Sequence, residues 1–170
     1  MSEQQLNFSQ MSFEQIERYL PHRKPFLFLD QAQISDDLST VSASHTFRPD
    51  EPYFEGHFPG DPIVPGVVLV ECLAQSAHLL LNVRGGRMMP GYLVGVESAS
   101  FNRVVRPNQT VRFEAKLVRE TGDLVAPERT GRMVSFKASG YLDGERCLRA
   151  NINLYLVIAA NDAAGKTDVS

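Results

Sequence analysis

Two side chains with the chemistry to move protons, His57 and Glu71, stand near each other in the sequence. A histidine can accept a proton near neutral pH, and a carboxylic acid in apolar surroundings can retain a proton to donate. The N–H groups at the start of a helix, among them that of Gly66, could polarise a carbonyl through the positive end of the helix dipole. The pattern therefore suits removal of a weakly acidic proton and protonation of a leaving hydroxyl.

The residues around this pair leave more than one interpretation open. The polar residues of the following apolar stretch fall at i, i+4, i+7 and i+11, on one face of a helix: Glu71, Gln75, His78 and Asn82. Such a stripe is as typical of a face that reaches solvent or a subunit interface as of a site for chemistry. His57 alone is as typical of a structural histidine, and we expect His22 and His45 to serve packing or capping.

The elements that must position the pair are a stiff connector and a long helix. Residues 49–66 contain eight prolines and glycines in eighteen positions, which excludes a helix or a central strand there, while five fixed proline φ angles limit its motion. Pro65 suits the first turn of a helix because its missing N–H would have no helical acceptor. We therefore predict a buried helix from near Pro65 to about Val83.

The rest of the chain predicts a short helix and a sheet. Ser12 and Gln15 form a capping-box pattern ahead of a helical repeat that ends at Pro21. Strands are expected over 26–34 and 40–47. Beyond residue 91, apolar and polar residues alternate with a period of two, and Asp143-Gly144 is typical of a hairpin turn. One apolar helix followed mostly by antiparallel strands indicates an α+β domain.

The bulk composition limits the classes of partner. The formal net charge of -3 provides no basic field for nucleic acid, and the apolar run 63–81 carries ionisable groups that argue against a membrane span. Two distant cysteines and a polar N-terminus favour a cytoplasmic protein with reduced thiols. We expect one domain over residues 11–159, with flexible tails at 1–10 and 160–170.

Four segments together resemble one enzyme family, the FabZ-type (3R)-hydroxyacyl-acyl carrier protein dehydratases. In order along the chain they are LPHRKPFLFLD (20–30), EGHFPGDPIVPG (55–66), VVLVECLAQSA (67–77) and VGVESASFNRVVRP (94–107). The resemblance implies the hotdog fold, a long central helix wrapped by a bent antiparallel β-sheet. It also implies a homodimer with a continuous sheet, which family members often assemble further into a hexameric trimer of dimers.

The resemblance assigns roles to individual residues. His57 of GHFPG matches the catalytic histidine and Glu71 of ExxAQ the catalytic carboxylate, which come from opposite subunits in the family. The Gly66 amide matches the group that polarises the thioester carbonyl, and Gln75 the glutamine that helps to fix the carboxylate. The residues that match the lining and gate of the acyl tunnel are Phe58, Val64 and Tyr92. The implied reaction is reversible loss of water from a (3R)-hydroxyacyl thioester to give the trans-2-enoyl product, without a cofactor or metal.

Departures from the family pattern concern specificity and partners. Val64 stands where the family usually has methionine, which would reshape the acyl tunnel. Asn108-Gln109 replaces the usual Gly-Asp turn, and the connection 119–132 is longer than typical. The family's acyl carrier protein is acidic, so its docking would need a local basic patch. The candidates are Arg84, Arg87, Arg103 and Arg106.

Three other functions fit parts of the same sequence. A hotdog thioesterase would share the fold and hydrolyse the thioester instead, although the GHFPG histidine speaks against it. A non-catalytic acyl-binding or carrier-protein-binding subunit of a specialised polyene or polyketide pathway would keep the tunnel without the chemistry. A metal hydrolase could use His57 and Glu71 as ligands, but no HExxH or similar ligand set accompanies them.

Overall fold

A computed structural model describes residues 8–125 and 129–160 of the chain. Two helices and a 3-10 turn at Pro52–Glu55 accompany the strands; the helices are α1 (Phe13–Tyr19) and α2 (Gly66–Arg84). The strands are β1 (Phe8–Met11), β2 (Gln31–Ser35), β3 (Thr40–Thr46), β4 (Gly91–Phe101), β5 (Thr110–Glu120), β6 (Leu124–Val125), β7 (Arg129–Leu142) and β8 (Glu145–Ala160). This order confirms the α+β prediction.

One antiparallel sheet contains these strands in the order β1-β2-β3-β5-β7-β8-β4, with β6 paired to β7. Alternate residues of β3, β5, β7 and β8 point inward, as the period of two predicts. Asp143 and Gly144 both have positive φ, 52° and 80°, which is the conformation of the predicted hairpin turn between β7 and β8.

Helix α2 forms the centre of the core because it is apolar around most of its circumference. Pro65 caps its start and Gly85 its end, within a residue or two of the predicted limits. By length and composition α2 is able to cross a membrane, but 67% of its most apolar stretch is buried inside the protein. It is the core helix of the hotdog arrangement that the sequence predicted, wrapped by the sheet.

Two predictions need correction, one about the segment 26–30 and one about the ends of the domain. The strand predicted over 26–34 begins only at Gln31, because the backbone groups of the preceding residues bond to a helix side chain instead of a neighbouring strand. Residues 8–10, predicted as tail, pair with β2, and β8 extends to Ala160. The remaining tail residues, 1–7 and 161–170, lie outside the described part of the chain. The capping box of Ser12 and Gln15 is confirmed at the start of α1.

Candidate active site

His57 is held at both its backbone and its ring by the proline-rich connector. Its N–H donates to Tyr53 O at 3.0 Å, and its carbonyl accepts from Ile63 N at 2.9 Å. The ring atom Nδ1 lies 2.9 Å from Ile63 O. A carbonyl oxygen can only accept, so Nδ1 carries the hydrogen and the lone pair of the neutral ring is on Nε2. The connector therefore presents His57 in the tautomer of a base that acts through Nε2.

A cavity of about 310 Å³ opens beside His57 at the start of α2. Val64, Gly66 and Phe101 are among its lining residues, and its walls are mainly apolar. Gly66 is the first residue of α2, so its N–H has no acceptor within the helix. A Cβ at this position would lie 3.0 Å from the Phe101 ring. The glycine therefore leaves room for the Phe101 ring beside a backbone N–H that has no acceptor within the helix.

Glu71 belongs to a hydrogen-bond network centred on Gln75, whose side chain is buried at 1% exposure. Gln75 Nε2 donates to Glu71 Oε1 at 2.9 Å and to Phe26 O at 2.8 Å, while Gln75 Oε1 accepts from Phe28 N at 2.9 Å. With three partners, the amide has one orientation. It holds one carboxylate oxygen of Glu71, Oε1, in place.

His22, which we expected to serve packing or capping, lies next to Glu71. Its Nε2 faces Glu71 Oε1 at 3.6 Å, its ring stacks on Phe26, and its Nδ1 is buried without a hydrogen-bond partner in the described part of the chain. Burial lowers the pKa of His22, and Arg23 adds to this effect, whereas Glu71 opposes it. The lowered pKa favours a neutral ring beside Glu71. Its position in the LPHRKPF segment, which carries part of the family resemblance, was the feature of the sequence that could have indicated this place near Glu71.

Within one chain, His57 and Glu71 belong to different surroundings. The described residues that line the His57 cavity do not include Glu71, and Glu71 contacts His22 and Gln75 instead. Phe58 stacks on the His57 ring at 4.2 Å between centroids but is 52% exposed. Tyr92 is half exposed on β4. Of the predicted site residues, the chain itself thus brings together His57, Val64 and Gly66 in one place and Glu71 and Gln75 in another.

The remaining polar residues of the α2 stripe are buried and bonded. His78 Nε2 contacts Met89 O at 2.8 Å, and Asn82 donates to Tyr19 O at 2.6 Å and accepts from Met89 N at 3.2 Å. These bonds fasten α1 and the turn after α2 to the core helix. In the isolated chain, this part of the stripe faces neither solvent nor an open surface.

The four candidate docking arginines separate into two groups. Arg84 pairs with Glu120, and Arg87 donates to Ile158 O, at the C-terminal end of α2. Thirteen residues of helix place Arg84 about 20 Å from Glu71. Arg103 lines the His57 cavity, and Arg106 pairs with Asp61 of the connector.

Residues 20–151 match the sequence model of the FabA-like domain family. A 3-hydroxyacyl-[acyl-carrier-protein] dehydratase FabZ of Janthinobacterium sp. (strain Marseille) is 30% identical over 162 residues, covering 92% of this chain and 98% of the relative. The protein of the same name from Shewanella denitrificans is 35% identical, covering 84% of this chain and 90% of its own length.

Solved structures support the fold. A chain of the dehydratase heterocomplex ApeI:P from Xenorhabdus doucetiae superimposes with a TM-score of 0.66 at 20% identity, covering 83% of this chain and 90% of that one. A putative thioesterase from Ralstonia eutropha JMP134 gives a TM-score of 0.53 at 14% identity, covering 72% and 80%. Both superpositions concern the fold, and the chemistry must be argued from the site residues.

Proposed function

The chain belongs to the FabA-like domain family and is a 3-hydroxyacyl-acyl carrier protein dehydratase of the FabZ type, and we propose that His57 and Glu71 carry its chemistry. The single observation that carries this proposal is the state of His57. Its Nδ1 hydrogen is bound to Ile63 O, so Nε2 is the basic atom, beside an apolar cavity and the free N–H of Gly66.

The proposed reaction starts from a (3R)-hydroxyacyl thioester whose carbonyl accepts the Gly66 N–H. His57 Nε2 takes a proton from C2, and the electrons of that C–H bond form the C2–C3 double bond. The C3–O bond breaks, and the hydroxyl leaves as water with a proton from Glu71. The products are a trans-2-enoyl thioester, an imidazolium and a carboxylate, which return to their starting states by proton exchange.

We further propose that the site is completed by a second copy of the chain. Strand β4 is a sheet edge, and it exposes large apolar side chains: Tyr92, Leu93, Val94, Val96 and Phe101. An unpaired apolar edge is a surface that a partner strand covers. Pairing there would also explain why His57 and Glu71 of one chain have separate surroundings, since each would meet the other residue of the partner subunit.

Partner and tunnel assignments follow from the same arrangement. Val64 lines the His57 cavity, and we propose that Phe58 and Tyr92 close the acyl tunnel at the subunit boundary. For the acidic carrier protein, Arg103 and Arg106 are better placed than Arg84 and Arg87, because they lie beside the His57 cavity and connector. The setting would be cytoplasmic fatty acid or related acyl-chain biosynthesis.

The first experiment follows hydration of crotonyl thioesters, on acyl carrier protein and on coenzyme A, through the loss of enoyl absorbance. The wild type should be active, and His57→Ala and Glu71→Gln should each lower the rate at least about 100-fold. Release of free thiol would identify a thioesterase instead. Absence of both reactions on short and long chains would favour a non-catalytic binding subunit.

Mixing the two inactive variants tests the shared site. If His57 and Glu71 come from opposite subunits, a His57→Ala/Glu71→Gln heterodimer has one intact site and one doubly altered site. Random exchange of an equal mixture then restores about a quarter of wild-type activity in a two-fold dimer. A mixture as inactive as its components, despite subunit exchange shown by mass spectrometry, would place both residues in one chain.

A further inference from the structure

His45 is a buried histidine between two carboxylates, away from the substrate cavity. Its side chain is 5% exposed; Nε2 is hydrogen-bonded to Glu51 Oε1 at 3.2 Å, whereas Nδ1 lies 3.4 Å from Asp30 Oδ2 in a charge contact without hydrogen-bond geometry. The rings of Phe28 and Phe47 pack edge-on against the imidazole. Because the carboxylates face opposite ring nitrogens, they do not converge on a common point as metal ligands would. We call Asp30, His45 and Glu51 the His45 cluster.

The charges of the His45 cluster support one another. Burial opposes a charged ring, but the contacts with Asp30 and Glu51 outweigh burial and raise the pKa of His45. Burial likewise opposes charge on the two carboxyl groups, but contacts with His45 and with neighbouring donors lower the pKa of each. An imidazolium flanked by two carboxylates is thus the favoured state of the cluster.

Other ionisable groups surround the His45 cluster without replacing any member. Tyr53 donates its hydroxyl to Glu51, and the field of Arg48 favours ionised Asp30. From α2, Cys72 faces the cluster as a thiol, since burial and the charges of Glu71, Glu51 and Asp30 raise its pKa well above the usual range. Lys24 and Asp50 line an adjacent cavity of about 220 Å³, which reaches His45 and Glu51.

The Asp30 side of the cluster leads to Glu71. Asp30 accepts from Thr46 N at 2.8 Å, and its own N–H donates to Ser44 O at 2.8 Å, which ends the segment 26–30 firmly against β3. The backbone groups of Phe26 and Phe28 in this segment hold the Gln75 amide, which in turn holds Glu71. The position of the segment therefore sets the position of the carboxylate.

The Glu51 side of the cluster leads to His57. Glu51 accepts from Arg48 N at 2.8 Å and from the Tyr53 hydroxyl, and it stands at the start of the 3-10 turn Pro52–Glu55. The Tyr53 carbonyl then accepts the N–H of His57 at 3.0 Å. Movement of Glu51 would therefore be transmitted through a single short turn to the catalytic histidine.

We propose that protonated His45 is a positioning residue that ties the segment supporting Glu71 to the connector carrying His57, so that loss of its proton loosens both halves of the site. The inference rests on the proposed function, in which these two residues carry the chemistry. In the proposed dimer, the two sides of one His45 cluster lead to two different active sites, so each cluster couples the pair of sites.

The sign of the pH effect follows from the direction of each shift. Both ion pairs of the His45 cluster are present while His45 is protonated. They are lost as pH rises through the raised pKa of His45 in the folded protein. At acid pH they are lost when Asp30 and Glu51 take up protons, below their ordinary range. A decline of kcat on the basic side is therefore expected from the cluster.

The test compares the pH profiles of kcat and KM for wild type, His45→Gln and His45→Lys in crotonyl hydration. Glutamine keeps polar contacts without the charge, so kcat should fall about 10- to 100-fold, with KM nearly unchanged, through misplacement of the acid/base pair. Lysine keeps a cation at high pH, so it should restore kcat and move the basic decline to higher pH. A merely structural role would not produce that displacement.

A second measurement covers the case in which a variant does not fold. In wild-type protein, the His45 ring signal should titrate by NMR with a midpoint above 6.5, the usual histidine value. A midpoint at or below that value overturns the proposal, as does a folded His45→Gln protein with the wild-type profile. Failure of the proposed function looks different, because the wild type itself would then hydrate no enoyl thioester at any pH.

Discussion

Replacing Gln75 with leucine should disable the enzyme without unfolding it. The substitution keeps side-chain volume at a position that is 1% exposed but removes the contacts with Phe28 N, Phe26 O and Glu71 Oε1. An unsatisfied buried N–H costs about 1–3 kcal/mol, and a bond to a partly exposed carboxylate adds about 1 kcal/mol. We expect a loss of unfolding free energy of about 2–4 kcal/mol and a fall in kcat of about 100-fold as Glu71 loses its orientation.

The neighbouring residue on α2 provides the matched control. Ser76 is fully buried, and among the described residues its hydroxyl bonds only to the Cys72 carbonyl of its own helix. Because that carbonyl keeps a helical N–H partner, Ser76→Ala should cost about 1 kcal/mol or less and leave kcat unchanged. Urea unfolding followed by far-UV circular dichroism, at equal protomer concentration, gives the stabilities; crotonyl hydration gives kcat.

The comparison of the two variants has a decisive outcome. If Gln75→Leu and Ser76→Ala retain the same kcat, the Gln75 amide does not orient a reacting carboxylate, and the role assigned to Glu71 fails with it. The reasoning would also be contradicted if Ser76→Ala lost as much stability as Gln75→Leu and the two variants lost kcat equally. The loss of kcat would then follow from lost stability and not from the lost contact with Glu71.

Four further predictions concern other residues. Gly66→Ala would place a methyl group against Phe101 and should lower kcat/KM at least about 10-fold, and Gly66→Ala combined with Phe101→Leu should recover part of it; no recovery would contradict the steric explanation. His22→Phe preserves the ring packing but removes the nitrogen facing Glu71, so kcat should fall about 10-fold with stability retained, and wild-type kcat would remove His22 from the site. Val64→Met fills part of the cavity beside His57 and should shift kcat/KM towards shorter acyl chains, measured over a chain-length series; an unchanged order would separate Val64 from the tunnel. Gly144→Ala strains a residue with φ of +80° and should lower stability by about 1 kcal/mol while kcat stays constant.

The sequence predicted those parts of the fold in which local pattern and tertiary packing agree. Helix α2, the inward-facing sets on β5, β7 and β8, the capping box at Ser12 and the turn at Asp143-Gly144 follow from periodicity and turn chemistry. The hydrogen bond between His57 Nδ1 and Ile63 O could not be predicted, although the GHFPG motif indicated His57 as a candidate residue. Local pattern was sufficient for the elements that periodicity or turn residues specify, but not for a side-chain contact such as that of His57 with a carbonyl six residues away.

The segment 26–30 shows where such prediction fails. Its apolar residues suggested a strand, yet Leu27, Phe28 and Leu29 are all buried, without alternation, and the segment bonds to Gln75 in the middle of the core helix. Its hydrogen bonds reach Gln75, nearly fifty residues away, which no window of sequence reveals. His45 was expected to serve packing or capping, and its two carboxylate partners, Asp30 and Glu51, became apparent only in the folded structure.

The order of the elements along the chain has a consequence for biosynthesis. Helix α2 ends at Arg84, whereas β5, β7 and β8, which cover much of it, span residues 110–160. While the ribosome is still adding those strands, a helix apolar enough for a membrane span has left the synthesis site without its cover. The emerging polypeptide therefore exposes an aggregation-prone surface until those strands are made, and chains stopped before residue 110 should accumulate as insoluble material.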